Sequence, residues 1–222
     1  MFRTIVAGTD THEKGRNAVA LAHELASATD ARLLLVAGHQ HGSPCRDILR
    51  RLRRLRNELA PGALVLAVPD ASPANALRRV AEEQGADLIV VGARERSRLR
   101  RVIEREPGMQ LVRAAPCAVV VAPDRAMPPQ SLRRIGVCVD KTPEPAAALD
   151  LARSLAHCTG ARVMKLAGVD EATPHLGLLV LASRDAGWVR RVVREQGCPV
   201  LLPPRQQSAQ RIGELQLSAA RT

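Results

Sequence analysis

The sequence predicts an α/β protein made of two tandem doubly wound parallel-sheet units of strand order 3-2-1-4-5, the second one truncated. Three observations carry that expectation. Short β-branched runs alternate with helical spacing from Thr4 to Val121, the mark of a parallel sheet covered on both faces. The start of the chain recurs 130 positions later without a gap, RIGVCVD at 134–140 standing against TIVAGTD at 4–10. The recurrence then shortens by 40 residues, because LLVLASR at 178–184 follows LIVVGAR at 88–94 by only 90. An ungapped match through a strand, a helix and a strand points to duplication.

Each element has its own signal. Thr4–Gly8 is a short apolar strand, with Thr9 and Asp10 at its carboxyl end. From His12 to Ala28 the spacing is helical, and Ala18, Leu21, Ala22 and Leu25 share one face. Arg32–Gly38 is the second strand. Pro44 to Leu59 is a basic amphipathic helix with its leucines inward and Arg46, Arg50, Arg53, Arg54 and Arg56 mostly outward. Ala63–Val68 is the third strand. Ser72 suits the cap of the next helix and Pro73 its first turn, and that helix runs to Gln84. Leu88–Val91 and Val119–Val121 are continuous apolar runs joined by an arginine-rich helical segment, a βαβ unit with both strands buried. Gly92 closes the first of them. A glycine there lets backbone N–H groups approach a ligand at the carboxyl edge, where open α/β sheets bind.

The expected division is a complete unit at 1–124, a linker at 125–132, a truncated unit at 133–204 and a polar tail at 205–222. The 40 missing residues correspond to helix two, strand three and helix three; nine more are lost before Cys198, which follows Cys117 by 81. Strand three is an edge in this order, so its loss leaves a contiguous 2-1-4-5 sheet. The replacement connector, Val169 to Leu176, has eight residues and spans about 25 Å when extended. The truncation exposes a new edge, which offers a place for another subunit.

Composition narrows the function. The chain is 46% hydrophobic but has one Trp, one Phe and no Tyr, which argues against base stacking on single strands. The net charge of +11 comes from 33 basic residues of which only Lys14, Lys141 and Lys165 are lysine. Solvated arginine faces account for that skew, so nucleic acid is not the expected partner. The five cysteines form no CxxC pair and read as buried hydrophobes in a reducing compartment. No apolar run reaches the ~18 residues of a membrane span, and no leader-like segment opens the chain. A cytoplasmic protein without membrane contact is expected.

The strand ending Gly8-Thr9-Asp10, the block DLIVVGAR at 87–94 and the closing RAAPCAVVV at 113–121 resemble the universal stress protein family. The resemblance covers the whole first unit and the retained parts of the second. It implies a five-stranded parallel sheet, ATP binding in many members, and dimerisation through the fifth strands. Here those strands are Val119–Ala122 and Val200–Leu202, which can pair within the chain or between two copies. In the nucleotide-binding members the pattern is Gly, two residues, Gly, nine residues, Gly, then Ser or Thr. Laid on this chain it falls on Gly92, Glu95, Arg105 and Glu106, so only the first position matches. Side chains at those places block the backbone from phosphate, and two of them are carboxylates. In the second unit Ala182 stands where Gly92 stands.

The residues of this vestigial nucleotide site are Gly8, Thr9, Asp10, Gly38, Gly92, Arg94, Arg105 and Gly108. Asp10 resembles the family's carboxylate near adenine and ribose; a helix N-cap or turn acceptor is the structural alternative. His39 and His41 lack an acidic or cysteine cluster and suit a solvated loop better than a metal. No Ser–His–Asp, paired-carboxylate or P-loop arrangement is visible. The expectation is therefore a non-catalytic regulatory or scaffold protein with no cofactor and an unidentified protein partner. An ATP binder using arginine side chains for the phosphates is the first alternative, and a basic nucleic-acid-binding protein the second.

Overall fold

The computed structural model describes residues 1–10, 15–39, 44–93, 107–124, 131–138, 145–169, 176–183 and 185–204. The apolar runs become nine strands: β1 (Thr4–Gly8), β2 (Arg32–His39), β3 (Leu64–Pro69), β4 (Leu88–Gly92), β5 (Ala118–Ala122), β6 (Arg134–Cys138), β7 (Arg162–Leu166), β8 (Leu178–Leu181) and β9 (Val200–Leu202). Six described helices accompany them: α1 (Arg16–Thr29), α2 (Cys45–Leu59), α3 (Pro73–Glu83), α4 (Pro107–Ala114), α5 (Pro145–Thr159) and α6 (Ala186–Gln196).

All nine strands join one sheet in the order β3-β2-β1-β4-β5-β9-β8-β6-β7. The first five run parallel in the expected 3-2-1-4-5 order. The last four are parallel among themselves, and β7-β6-β8-β9 repeats the neighbour relations of β2-β1-β4-β5. The join is antiparallel, with Val119 opposite Leu202, Val120 opposite Leu201 and Val121 opposite Val200. At this seam the strand direction reverses, so the carboxyl ends of the two halves lie on opposite edges of the sheet.

Alternation along the strands builds two cores. Ile5, Leu88, Val90, Val120, Leu201 and Val180 face the layer of α1, α2 and α5. Val6, Ile89, Val91, Val119, Val200 and Leu179 face α3, α4 and α6. Both cores run across the seam, so the two halves share them. Near the start of β1 the Asp87 carboxylate accepts the N–H groups of Arg3 at 2.6 Å and Thr4 at 3.0 Å, pinning β1 against β4.

The structure corrects several sequence expectations. The third strand is Leu64–Pro69 rather than 63–68, because Ala63 still bonds back to Ala60 while Pro69 pairs with His39. Within the described residues the first helix starts at Arg16, and Gly15 rather than Asp10 is its N-cap. Residues 11–14, where the sequence expects the helix to begin after Asp10, lie outside the described residues. Cys117, Cys138 and Cys198 are buried, whereas Cys45 and Cys158 are exposed on helices, so only three cysteines act as core residues; all five are free. Ser72 caps α3 as expected, its hydroxyl accepting from the Asn75 N–H at 3.4 Å. The tail at 205–222 and most of the connector 169–176 lie outside the described residues.

Candidate functional site

A cleft of about 320 Å³ opens at the carboxyl ends of β1, β2 and β4. That volume is at the lower end of small-molecule pockets, roughly 300 Å³ and upward. In the order 3-2-1-4-5 the chain switches direction of progress between β1 and β4, and ligands of open α/β sheets bind there. Gly8 ends β1, Gly38 lies near the end of β2 and Gly92 ends β4. The β2 wall is set by backbone contact, since a Cβ on Gly38 would lie 2.9 Å from the Pro73 Cα. Likewise a Cβ on Gly8 would lie 2.5 Å from Leu77 Cδ1, so glycine there lets α3 settle against β1.

Thr9 and Asp10 form the polar lip. The Thr9 N–H donates to Val36 O at 3.0 Å, extending the β1–β2 ladder past Gly8. A Cβ on Gly15 would collide with Thr9 Oγ1 and stand 3.2 Å from Asp10 Oδ1. Gly15 is thus what allows these two residues to fold over the start of α1.

The opposite wall is the beginning of α4. Pro107 and Gly108 line the cleft, and a Cβ on Gly108 would stand 3.4 Å from the Gly92 carbonyl oxygen. The first turn of a helix has N–H groups without intrahelical partners and carries the positive end of its dipole, a suitable place for an anion. From α2, Ile48 adds an apolar surface and Arg51 a cation. The cleft therefore offers apolar walls, one carboxylate able to accept from a hydroxyl or amine, and positive potential from two sides.

Of the residues expected from sequence, Gly8, Thr9, Asp10, Gly38, Gly92 and Gly108 line this one cleft. Arg94 and Arg105 lie outside the described residues, as do Glu95, Glu106, His41 and Asp140. Sequence reasoning missed Gly15, Ile48, Arg51, Pro73, Leu77 and Pro107. Arg51 carried a faint signal: it sits beside the inward Leu52 at the border of the basic helix rather than at the centre of its outer face. Among the described residues, all that line the cleft fall between Gly8 and Gly108, in the first half. Among the described residues no cluster of His, Cys, Asp and Glu could hold a metal ion, and no helix is long and apolar enough to cross a membrane.

Fold and cleft together define a doubly wound α/β protein with a ligand cleft at its switch point. The sequence model of the universal stress protein family matches residues 46–123. A universal stress protein of Thermus aquaticus, described as lying in the QAH/OAS sulfhydrylase 3′ region, is 30% identical over 135 residues, covering 54% of this chain and 98% of that one. The chain belongs to the universal stress protein family. Over its greater length it has the fold of a universal stress protein from Archaeoglobus fulgidus, with a TM-score of 0.68 at 13% identity, covering 91% of this chain and 96% of that one. A universal stress protein solved in complex with cAMP is 27% identical, covering 56% of this chain and 98% of that one, with a TM-score of 0.49.

Proposed function

We propose that this is a non-catalytic universal stress protein with a regulatory or scaffolding role in the cytoplasm, built from a complete unit (1–124), a linker (125–132), a shortened duplicate (133–204) and a polar tail (205–222). The first unit keeps the cleft of a nucleotide site but not its triphosphate loop. Among the described residues the duplicate adds nothing to that cleft and instead completes the sheet beside β5. The 130-residue offset in sequence and the repeated order β7-β6-β8-β9 support the duplication. With β5 already paired to β9 inside the chain, this strand is not open to a second copy.

One observation carries the functional reading. The cleft retains Gly8, Gly38, Gly92 and Gly108, yet the chain between the last two bears Glu95 and Glu106 at family positions of Gly and Ser or Thr. A carboxylate ~4 Å from a phosphate opposes it by about 1 kcal/mol in water and about 4 kcal/mol at the effective dielectric near a protein surface. A micromolar site is worth only about 8 kcal/mol, so two such carboxylates remove from about a quarter of it to nearly all. The second reading, an adenine-nucleotide binder, is favoured by Arg51 and the start of α4 at the cleft.

Calorimetric titration with ATP and Mg²⁺ separates the two. We expect no saturable heat up to about 100 μM nucleotide, a free energy well short of the micromolar range. Saturation at micromolar ATP would replace the first reading with the second.

A further inference from the structure

Helix α2 has six arginines against two carboxylates, a net of +4 over 15 residues. Its core side is the row Ile48, Leu52, Leu55 and Leu59, with Leu52 and Leu55 buried. At 100° per residue, Arg46, Arg50, Arg53 and Arg54 fall on the opposite side, and all four are exposed. Both carboxylates lie along one side of this ridge and leave most of it unpaired. Asp47 reaches Arg50, at 3.4 Å, and Glu58 is turned to Arg16 of α1, at 2.7 Å. Arg46, Arg53 and Arg54 have no carboxylate partner among the described residues. Treating the chain's charge as evenly solvated faces therefore leaves this one ridge unexplained.

We propose that the outward ridge of α2 docks the phosphate backbone of duplex nucleic acid without reading its sequence. The four guanidinium groups rise over about 12 Å of helix, and an equal length of duplex axis carries about seven phosphate charges. Arginine suits phosphate because its planar fork makes paired hydrogen bonds. A single strand is disfavoured because binding one depends on aromatic faces: the chain's one Phe, Phe2, is buried, and its one Trp, Trp188, packs partly buried on α6, away from the ridge. A second copy is disfavoured because it brings the same net charge of +11. The ridge lies outside the cleft and stands whether or not a nucleotide binds there.

The test is fluorescence anisotropy of the full chain with a mixed-sequence 20-bp duplex, as DNA and as RNA, from 50 to 200 mM salt. Three to four phosphate contacts give a log–log slope of about −3 to −4 and a loss of about 40- to 150-fold across that range. Binding to either duplex supports the ridge, and the pair of titrations says which is preferred. The variant Arg46→Glu/Arg53→Glu/Arg54→Glu should lose at least about tenfold at 50 mM, while Arg153→Glu/Arg191→Glu/Arg194→Glu, which changes net charge equally on α5 and α6, should stay within about threefold. Should the first variant melt early, Arg46→Gln/Arg53→Gln/Arg54→Gln decides the matter through a slope shallower by about three. Absence of duplex binding at 50 mM, equal losses in the two charge-matched variants, or retention on phosphatidylserine vesicles without duplex binding would each overturn the proposal.

Discussion

Replacing Glu95 by Gly, Arg105 by Gly and Glu106 by Ser should tighten ATP·Mg²⁺ binding by at least about fivefold and by up to about a thousandfold. The lower figure follows from removing one carboxylate–phosphate repulsion of about 1 kcal/mol in water, the upper from about 4 kcal/mol at a protein surface, with about 1.4 kcal/mol per decade. The glycines also let main-chain N–H groups close on the phosphates, and the serine adds a hydroxyl donor. Each position lies between Gly92 and Gly108, both of which line the cleft. Calorimetry on parent and variant reads the change. An unchanged isotherm would show that these side chains are not what keeps the triphosphate out.

The substitution Leu201→Pro should cost more than about 3 kcal/mol, read from the urea midpoint. Strand β9 has neighbours on both sides, β5 and β8, so its backbone N–H groups belong to the interior of the sheet. Proline removes a donor that a central strand cannot spare. Leu201 is also fully buried in the core shared with α1 and α5, so Leu201→Ala should itself cost about 2–5 kcal/mol. Proline should exceed alanine, because it loses the side chain and the ladder bond together. A cost below about 1 kcal/mol for the proline variant would mean that β9 is not inside a continuous sheet.

Much of the first half is legible in the sequence because its strands are buried on both faces and so read as unbroken apolar runs. Leu88–Val91 and Val119–Val121 need no partner to be recognised. The third strand is displaced by one residue from its expected place because it lies at an edge. Leu64 and Leu66 are exposed there, and no burial pattern marks where the strand ends. The site divides along the same line. Gly8, Gly38, Gly92 and Gly108 stand in or beside strand ends and helix starts, where glycine has local meaning. Arg51, Leu77 and Pro73 enter the cleft only because α2 and α3 pack on opposite faces of the sheet, which no local pattern encodes. Gly15 is a related case: its lack of a Cβ leaves room for Thr9 and Asp10 at the lip, a contact between residues six and five positions apart that no pattern in the sequence announces.

A retained cleft, with two carboxylates in the sequence between its glycines Gly92 and Gly108, underlies the proposed function. Crystals of the full chain grown with millimolar ATP and Mg²⁺ test this most directly. The expected map has no ordered triphosphate between Gly92 and Gly108. Ordered phosphates beside Glu95 and Glu106, coordinated by the start of α4, would contradict it.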